Sequence, residues 1–437
     1  MIKNLPRLIL SLTTGVFLSA LLTVFTIDAC HRALQKATWT DEHNAIKYVC
    51  RLSTYTHLLL HGSGEASPAP LYYWPQKYFD HIREKINWLG LHPAVYYRII
   101  SLGLTVLFTA FFYILFAAQI LRKPVSTAMK ILQCSLLCLA FTALLFAPLT
   151  AHYAIEARAY ALWNMLWLSA LSFALLNPSS KKPLFICLIL MALTSTGSIF
   201  QIFSMGGAAF ITALLNPPID KKNLWRKSLY FVLPMLLCFY YIPWKSGNLG
   251  FPTHLDFLHF WAAQYPLGLL CVAGIAVCFA DKNNRPLAIA LFSAFLLFLL
   301  EPGIAWIALR KGYPVTPRIF IYNDLVFPVF LLTLIQCLPY LGCALPNQKI
   351  KHVVIGICVA LSAGLFFMGP LPSRVTAALN NTKRHFLSPS FRQEISLSSA
   401  LPGEIAYWAD PRCFWKIPIP EIFIRGYNQG YFDGPMR

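Results

Sequence analysis

Long apolar stretches recur along most of this 437-residue chain, and they constrain its fold more than any other feature. Hydrophobic residues make up 57% of the sequence and charged residues only 12%, which is too apolar for a soluble protein of this size. Many stretches approach the roughly 20 helical residues that cross a hydrocarbon core of about 30 Å, and charged or Pro/Gly-rich breaks separate them. The sequence therefore predicts an all-α, polytopic membrane protein.

The predicted membrane helices number about 11, within a range of roughly 10 to 13. They are expected at about 8–27, 99–120, 131–150, 161–176, 184–200, 202–215, 229–241, 266–280, 287–300, 319–340 and 353–368. Lys3 and Arg7 precede the first of them, as in a secretory signal, but its apolar run is long for one. We therefore expect an uncleaved first helix.

Basic residues cluster in alternate turns between these helices, and that asymmetry predicts an orientation. The turns at 122–130, 181–182, 221–227, 282–285 and 349–351 are rich in Lys and Arg, whereas the opposite turns hold far fewer. Because positive turns stay cytoplasmic, the first loop and the C-terminal segment are predicted to lie outside. The net charge of +19 does not predict nucleic-acid binding, because these residues form no continuous basic face.

Two segments are too polar to span a membrane, and they define the domain organisation. Residues 1–370 are predicted to form one transmembrane domain, with a first outer loop at 28–98. This loop carries amphipathic stretches, which are typical of helices that lie at the membrane interface. Residues 371–437 are expected to form a small extracytoplasmic segment of irregular or part-β structure.

An acidic pair, Asp41-Glu42, closely follows the first apolar run. An aspartate acts as a general base when its carboxylate reaches an acceptor hydroxyl and burial tunes its pKa. The alternative is a helix start, with Thr40 as N-cap and the two acids in the first turn. Both roles are compatible, because a helix start holds a carboxylate rigidly. Glu65, later in the same loop, is either a second acid of the site or an exposed loop residue.

A stiff, aromatic turn occupies residues 68–74, with the sequence Pro-Ala-Pro-Leu-Tyr-Tyr-Trp. Proline restricts the backbone, and amphipathic aromatic rings prefer the depth of the lipid headgroups. Tyr72 and Tyr73 therefore either shape a site at the membrane surface or belong to an ordinary interfacial belt.

Charged residues also flank predicted spans at the outer end of the third and fourth helices, where Glu156, Arg158 and Tyr160 occur together. A charge at the bilayer centre costs about 2.5 to 3.5 kcal/mol, so charges in or beside spans are rarely without a partner or task. Arg158 is a candidate phosphate ligand, and the alternative is a snorkelling pair with Glu156. Arg318, after Pro317, either contacts a phosphate or anchors the next helix.

The order of these motifs resembles that of the GT-C membrane glycosyltransferases. The similarity is greatest to the branch of the protein O-mannosyltransferases, the lipid A aminoarabinose transferases and the lipopolysaccharide-core transferases. It covers roughly the first 180 residues and a single late motif, Pro317-Arg318. One departure is that Ser67 stands directly before the Pro68 turn, where some relatives have an acid or a histidine, and Glu65 lies slightly upstream of that position.

The resemblance implies transfer of a sugar from a polyprenyl-phosphate donor to a hydroxyl of an envelope glycan, a lipid or a protein, on the extracytoplasmic face. By matching position, Asp41 is the catalytic base and Glu42 its neighbour. The implied donor-binding residues are Arg158, Glu156, Tyr160, Arg318, Tyr72 and Tyr73. No cofactor is expected, since the lipid-linked sugar is a substrate, although a divalent cation is left open. The implied location is the bacterial inner membrane, with the site facing the periplasm or exterior.

A polytopic lipid or solute transporter, or a flippase, is the main rival interpretation, because many helices with a few embedded charges also describe one. Transporters often have paired halves with matching broken helices, and the sequence has no such pairing. A non-catalytic membrane scaffold would leave the placement of Asp41 and Arg158 unexplained. If the protein is an enzyme, we expect Asp41, Arg158 and Arg318 to converge on one outward-facing cavity.

Overall fold

The computed structural model describes residues 5–35, 54–61, 70–86, 93–177, 180–215, 221–241, 261, 265–310, 317–344 and 371–387. Every element in these ranges is a helix, which confirms the predicted all-α class for this part of the chain. Five of the described helical stretches are long and apolar enough to cross a membrane: Leu5–Ala33, Arg98–Arg122, Thr127–Phe146, Arg285–Trp306 and Phe320–Tyr340. The larger number of about 11 spans stays a prediction.

The helices of the first half are α1 Leu5–Gln35, α2 Tyr55–His61, α3 Tyr73–Ile86, α4 Pro93–Arg122, α5 Thr127–Phe146, α6 Pro148–Tyr153 and α7 Tyr160–Leu176. Those of the second half are α8 Lys182–Ala192, α9 Ser198–Leu214, α10 Lys221–Tyr241, α11 Tyr265–Phe279, α12 Ala288–Arg310, α13 Val326–Ala344 and α14 Leu371–Leu387. Two short 3₁₀ helices, Arg285–Leu287 and Pro317–Leu325, precede α12 and α13.

The core lies where α4, α5, α7 and α13 meet. Helix α7 packs against α4 and α8, and α13 packs against α5 and α11. Aromatic side chains fill these contacts, as in the edge-to-face pair of Phe112 and Phe173, whose ring centroids are 5.4 Å apart. Helix α1 instead exposes Leu8, Leu12 and Val16. An apolar face of this kind suits contact with lipid.

Four predicted helices differ from the structure, at three recognisable breaks. The span expected at 131–150 divides into α5 and α6, because Pro148 has no N–H to continue the helical ladder. The break expected near 201 lies instead at 193–197, where the Thr194 hydroxyl donates to the carbonyl of Leu190 at 2.7 Å. The start of the span expected at 319–340 is 3₁₀, since Phe320 has a non-helical backbone, with φ −103° and ψ 22°.

The expected irregular or part-β start of the C-terminal segment is wrong, because residues 371–387 form the helix α14. Leu371 and Ala378 are buried and Val375 packs against the core, a spacing that places all three on one helix face. This face lies against α1 and α5. Residues 388–437 and the helix predicted at 353–368 lie outside the described residues.

Alternating helix directions give the molecule two distinct ends. The lysine end holds Lys123, Lys181 and the 281–285 turn. Lys123 contacts Gln336 late in α13, and Lys181 shares a cavity with Ile289 at the start of α12. The motif end holds the end of α1, the start of α4, helix α6 and the turn at 154–159. The basic turns at 122–130, 181–182 and 282–285 therefore share one end, as the predicted alternation requires.

Candidate functional site

The turn between α6 and α7 buries two charged side chains at the motif end. Glu156 is fully buried and Arg158 is 4% exposed. His152 Nε2 and Glu156 Oε1 share a hydrogen bond of 2.9 Å, one helical turn apart. The Arg158 guanidinium lies over the Tyr160 ring, 5.6 Å from its centroid. Both side chains are thereby fixed in place where burial would otherwise be costly.

A chain of hydrogen bonds joins the aromatic turn to the Glu156–Arg158 turn. Gln76 Nε2 donates to the hydroxyl of Tyr72 at 2.9 Å, and that hydroxyl lies 2.6 Å from Ser101 Oγ. Ser101 in turn donates to the backbone carbonyl of Glu156. Tyr73 is buried beside Tyr72, with the two rings edge to face. Two motifs that are far apart in sequence are therefore adjacent in space.

Two arginines fasten the end of α1 to this region. Arg98, at 2% exposure, donates to the backbone carbonyl of Ala33 at 2.7 Å. Arg32 forms an ion pair of 2.8 Å with Asp28 and donates to the carbonyl of Ala151 in α6 at 2.9 Å. Helix α1 leads along the chain toward the acidic pair, so its end is held at the same place as the Glu156–Arg158 turn.

The 3₁₀ segment Pro317–Leu325 completes the motif end by contacting α6 and α7. Asp324 Oδ2 accepts a hydrogen bond of 2.6 Å from the backbone N–H of Thr150 in α6. Asn323 donates to Glu301 Oε1 at 2.7 Å, and Glu301 is fully buried in α12. Tyr322 packs edge to face on Trp163 of α7, with ring centroids 6.4 Å apart.

The structure thus brings together five predicted site residues: Tyr72, Tyr73, Glu156, Arg158 and Tyr160. Arg318 belongs to the 3₁₀ segment that contacts α6 and α7, although its side chain is not among those described. Asp41, Glu42 and Glu65 lie outside the described residues. Their predicted convergence with Arg158 stays a prediction.

Several polar residues at the motif end were not predicted from sequence, chiefly Ser101, Glu301 and Asp324. A signal for the two acids was present, because Glu301 and Asp324 are isolated charges inside apolar runs. Such residues indicate a functional site by default. Ser101 gave no comparable signal, because the hydroxyl of a serine in a membrane helix usually donates to a backbone carbonyl of the same helix. Ser169 does this toward the carbonyl of Met165.

The described residues include no group of three His, Cys, Asp or Glu side chains that could hold a metal ion. The nearest combination at the motif end is the His152–Glu156 pair, which supplies two ligands at most. Most structural or catalytic metal sites in proteins use three or more side-chain ligands. The expectation that no cofactor is required stays a prediction.

The sequence matches no protein-family model and no curated protein. The resemblance to GT-C transferases therefore depends on the order of the motifs. To that order the structure adds the contact between Tyr72, Ser101 and Glu156 at one end of the helical bundle.

Proposed function

We propose that the protein is a membrane glycosyltransferase of GT-C type. It moves a sugar from a polyprenyl-phosphate donor to a hydroxyl of a glycan, lipid or protein on the extracytoplasmic face. The observation that carries this proposal is the hydrogen-bonded junction of the Tyr72 turn with the Glu156–Arg158 turn. Two of the motifs that suggested the resemblance, the Tyr72 turn and the Glu156–Arg158 turn, are joined in one buried cluster, and this supports a shared substrate site.

The chemistry of sugar transfer explains why such a cluster holds an arginine. Displacement at the anomeric carbon passes through an oxocarbenium-like state, in which negative charge develops on the departing phosphate oxygen. The planar guanidinium of Arg158 binds two phosphate oxygens at once, which places its positive charge beside the oxygens on which negative charge develops. The bond from the anomeric carbon to the phosphate oxygen breaks, and the polyprenyl phosphate leaves as an anion.

The attacking hydroxyl needs a base, and the proposal assigns that role to Asp41 with Glu42 beside it. The Asp41 carboxylate takes the hydroxyl proton as the acceptor oxygen bonds to the anomeric carbon. A single displacement of this kind inverts the configuration at that carbon. The end of α1, which precedes this loop, is held against α6 by Arg32, and this supports a place for the base near Arg158.

Partners of Arg158 also support a binding role for this residue. Its ring contact with Tyr160 and its burial beside Glu156 limit the directions that the guanidinium can take. A preorganised cation loses little conformational entropy when it binds an anion, whereas a mobile surface arginine loses more. This arrangement suits a donor-phosphate ligand better than a snorkelling side chain.

The test is transfer of labelled sugar from a synthetic polyprenyl-phosphate sugar, catalysed by the purified protein in proteoliposomes. A panel of donor sugars, with extracted envelope lipid and glycan as acceptors, identifies the substrates. We expect activity in the wild type and its loss in Asp41→Asn, with normal protein levels. Equal transfer by wild type and Asp41→Asn in cells and in vitro would contradict the assignment of the base.

The rival function, lipid transport, is tested in the same vesicles by following movement of fluorescent polyprenyl phosphate between leaflets. A transferase accumulates a glycosylated acceptor without accelerating that movement, whereas a flippase does the reverse. The clustering of Glu156, Arg158 and Arg98 at one end of the described helices favours the transferase.

A further inference from the structure

Three consecutive side chains of the 3₁₀ segment fasten it to different parts of the bundle. Asn323 donates to Glu301 of α12 at 2.7 Å, and Tyr322 contacts the same carboxyl group and the ring of Trp163. Asp324 accepts from the backbone N–H of Thr150 at 2.6 Å. The segment therefore joins α12 and α7 on one side to α6 on the other.

Thr150 lies in the first turn of α6, the helix that leads into the Glu156–Arg158 turn. The first N–H groups of any helix lack a partner within the helix, and Asp324 satisfies one of them here. The Thr150 hydroxyl accepts from Asn164 of α7 at 3.0 Å, and its carbonyl accepts from Ala154 N–H at 3.0 Å. A continuous set of hydrogen bonds thus runs from Asp324 to the residues just before Glu156.

The C-terminal helix α14 supplies the opposite charge. Arg374 lies within electrostatic range of the Asp324 carboxylate, and α14 packs against α1 and α5. Leu371 and Ala378 are buried on the face by which α14 attaches. The packing of α14 against α1 and α5 thus fixes the helix that carries Arg374.

We infer that Asp324 is a positioning residue for the Glu156–Arg158 turn, and that Arg374 connects the C-terminal helix to this turn by balancing the charge of Asp324. The functional consequence rests on the proposed function, since the turn then carries the donor-phosphate ligand. Asp324 itself touches no reacting group. It sets where Arg158 lies by fixing the start of α6.

The experiment measures backbone hydrogen exchange of residues 149–158 by mass spectrometry, in full-length protein purified in detergent. Asp324→Ala removes the acceptor and should speed exchange in this segment about tenfold. Asp324→Asn keeps an oxygen that accepts from Thr150 and should have a smaller effect. Arg374→Gln leaves the acceptor in place without its counter-charge, and it should speed exchange less than Asp324→Ala does. Arg7→Gln, an exposed arginine of α1, is the matched control that should match wild type.

The second readout is binding of polyprenyl phosphate without a sugar, together with the donor KM. Asp324→Ala should weaken binding about tenfold or more, because a small displacement of a ligand group has large effects. Asp324→Asn should recover most of that loss, which a merely structural role would not explain.

Unchanged exchange at 149–158 in both Asp324→Ala and Arg374→Gln would overturn the inference. If Asp324→Ala does not accumulate, Asp324→Asn and Arg374→Gln decide, and wild-type exchange in both would overturn it equally. Failure of the wild type to bind polyprenyl phosphate would instead refute the proposed function, while the exchange measurement still decides whether Asp324 positions the turn.

Discussion

The two ends of the helical bundle satisfy their buried polar groups in different ways. At the lysine end the partners are mostly neutral amides. Lys123 donates to Gln336 Oε1 at 2.7 Å, Gln336 donates to Gln119, and Gln133 donates to the carbonyl of Ile335. At the motif end, ionisable side chains lie together out of water, with Glu156, Arg158, Arg98 and Glu301 all buried.

This difference supports the proposal that the motif end, rather than the lysine end, carries the chemistry. Amide networks hold helices together at modest cost, whereas burying ionisable groups has a large desolvation penalty that packing alone would avoid. A cluster of buried acids and arginines persists when its members position one another for a task. We therefore assign substrate binding to the motif end and orientation in the membrane to the lysine end.

We expect the largest effect on the transfer rate from substitution of Asp41, because it removes the base from the chemical step that we assign to the motif end. Asp41→Asn should lower the transfer rate by about 10²- to 10⁴-fold, the usual contribution of a general base. The matched control at the lysine end is Asp281→Asn, since the Asp281 carboxylate accepts a local turn hydrogen bond from Asn283 N–H. Comparable losses in the two variants, measured at equal protein levels, would remove the contrast between the ends.

Next in size is the substitution of Arg158 by lysine. A lysine keeps the charge but not the planar, two-point contact, so the donor KM should rise by about 10- to 100-fold. Arg122→Lys, at an exposed position of the lysine end, is the control. A wild-type donor KM in Arg158→Lys would show that this guanidinium does not bind the phosphate.

Tyr72→Phe tests the junction between the two motifs. Loss of the hydroxyl removes the bonds to Gln76 and Ser101 and should lower the free energy of unfolding by about 1 kcal/mol. Transfer should fall only a fewfold, because the ring remains. Tyr78→Phe is the control, since Tyr78 is exposed. Thermal unfolding in detergent measures the difference, and equal stability of both variants would argue against a structural junction.

The smallest effect on transfer is expected from Lys123→Met at the lysine end. Burial lowers the pKa of the Lys123 ammonium. Between that lowered pKa and the ordinary value, the unfolded chain binds more protons than the folded protein, so stability rises with pH there. Lys123→Met should flatten this rise in thermal unfolding at alkaline pH and leave transfer within about twofold. A larger loss of transfer would extend the functional site to this end.

Some of this architecture was predictable from the sequence because periodicity and composition report it directly. The length of the apolar stretches predicted helices that include α1, α4 and α12. The basic turns predicted which helix ends lie at the same end of the bundle. The grouping of Glu156, Arg158 and Tyr160 was apparent because charges beside apolar runs are rare.

Other features were not predictable, because they depend on contacts between distant parts of the chain. In the sequence, the 3₁₀ segment Pro317–Leu325 runs directly into the apolar stretch of α13, and its geometry follows from its partners in α6 and α12. Ser101 is one of many hydroxyls in apolar runs, and its role follows from the arrival of Tyr72 beside it. Helix α14 was missed because a short amphipathic helix with several polar residues gives a weak signal.

The most direct test of a donor-phosphate site at the motif end is equilibrium binding of sugar-free polyprenyl phosphate to purified wild type, Asp41→Asn, Arg158→Gln and Arg122→Gln, for example by native mass spectrometry. We predict saturable binding to the wild type, to Asp41→Asn and to Arg122→Gln, and its loss only in Arg158→Gln. Equal binding to Arg158→Gln and Arg122→Gln, or binding to neither these nor the wild type, would contradict a donor-phosphate site at the motif end.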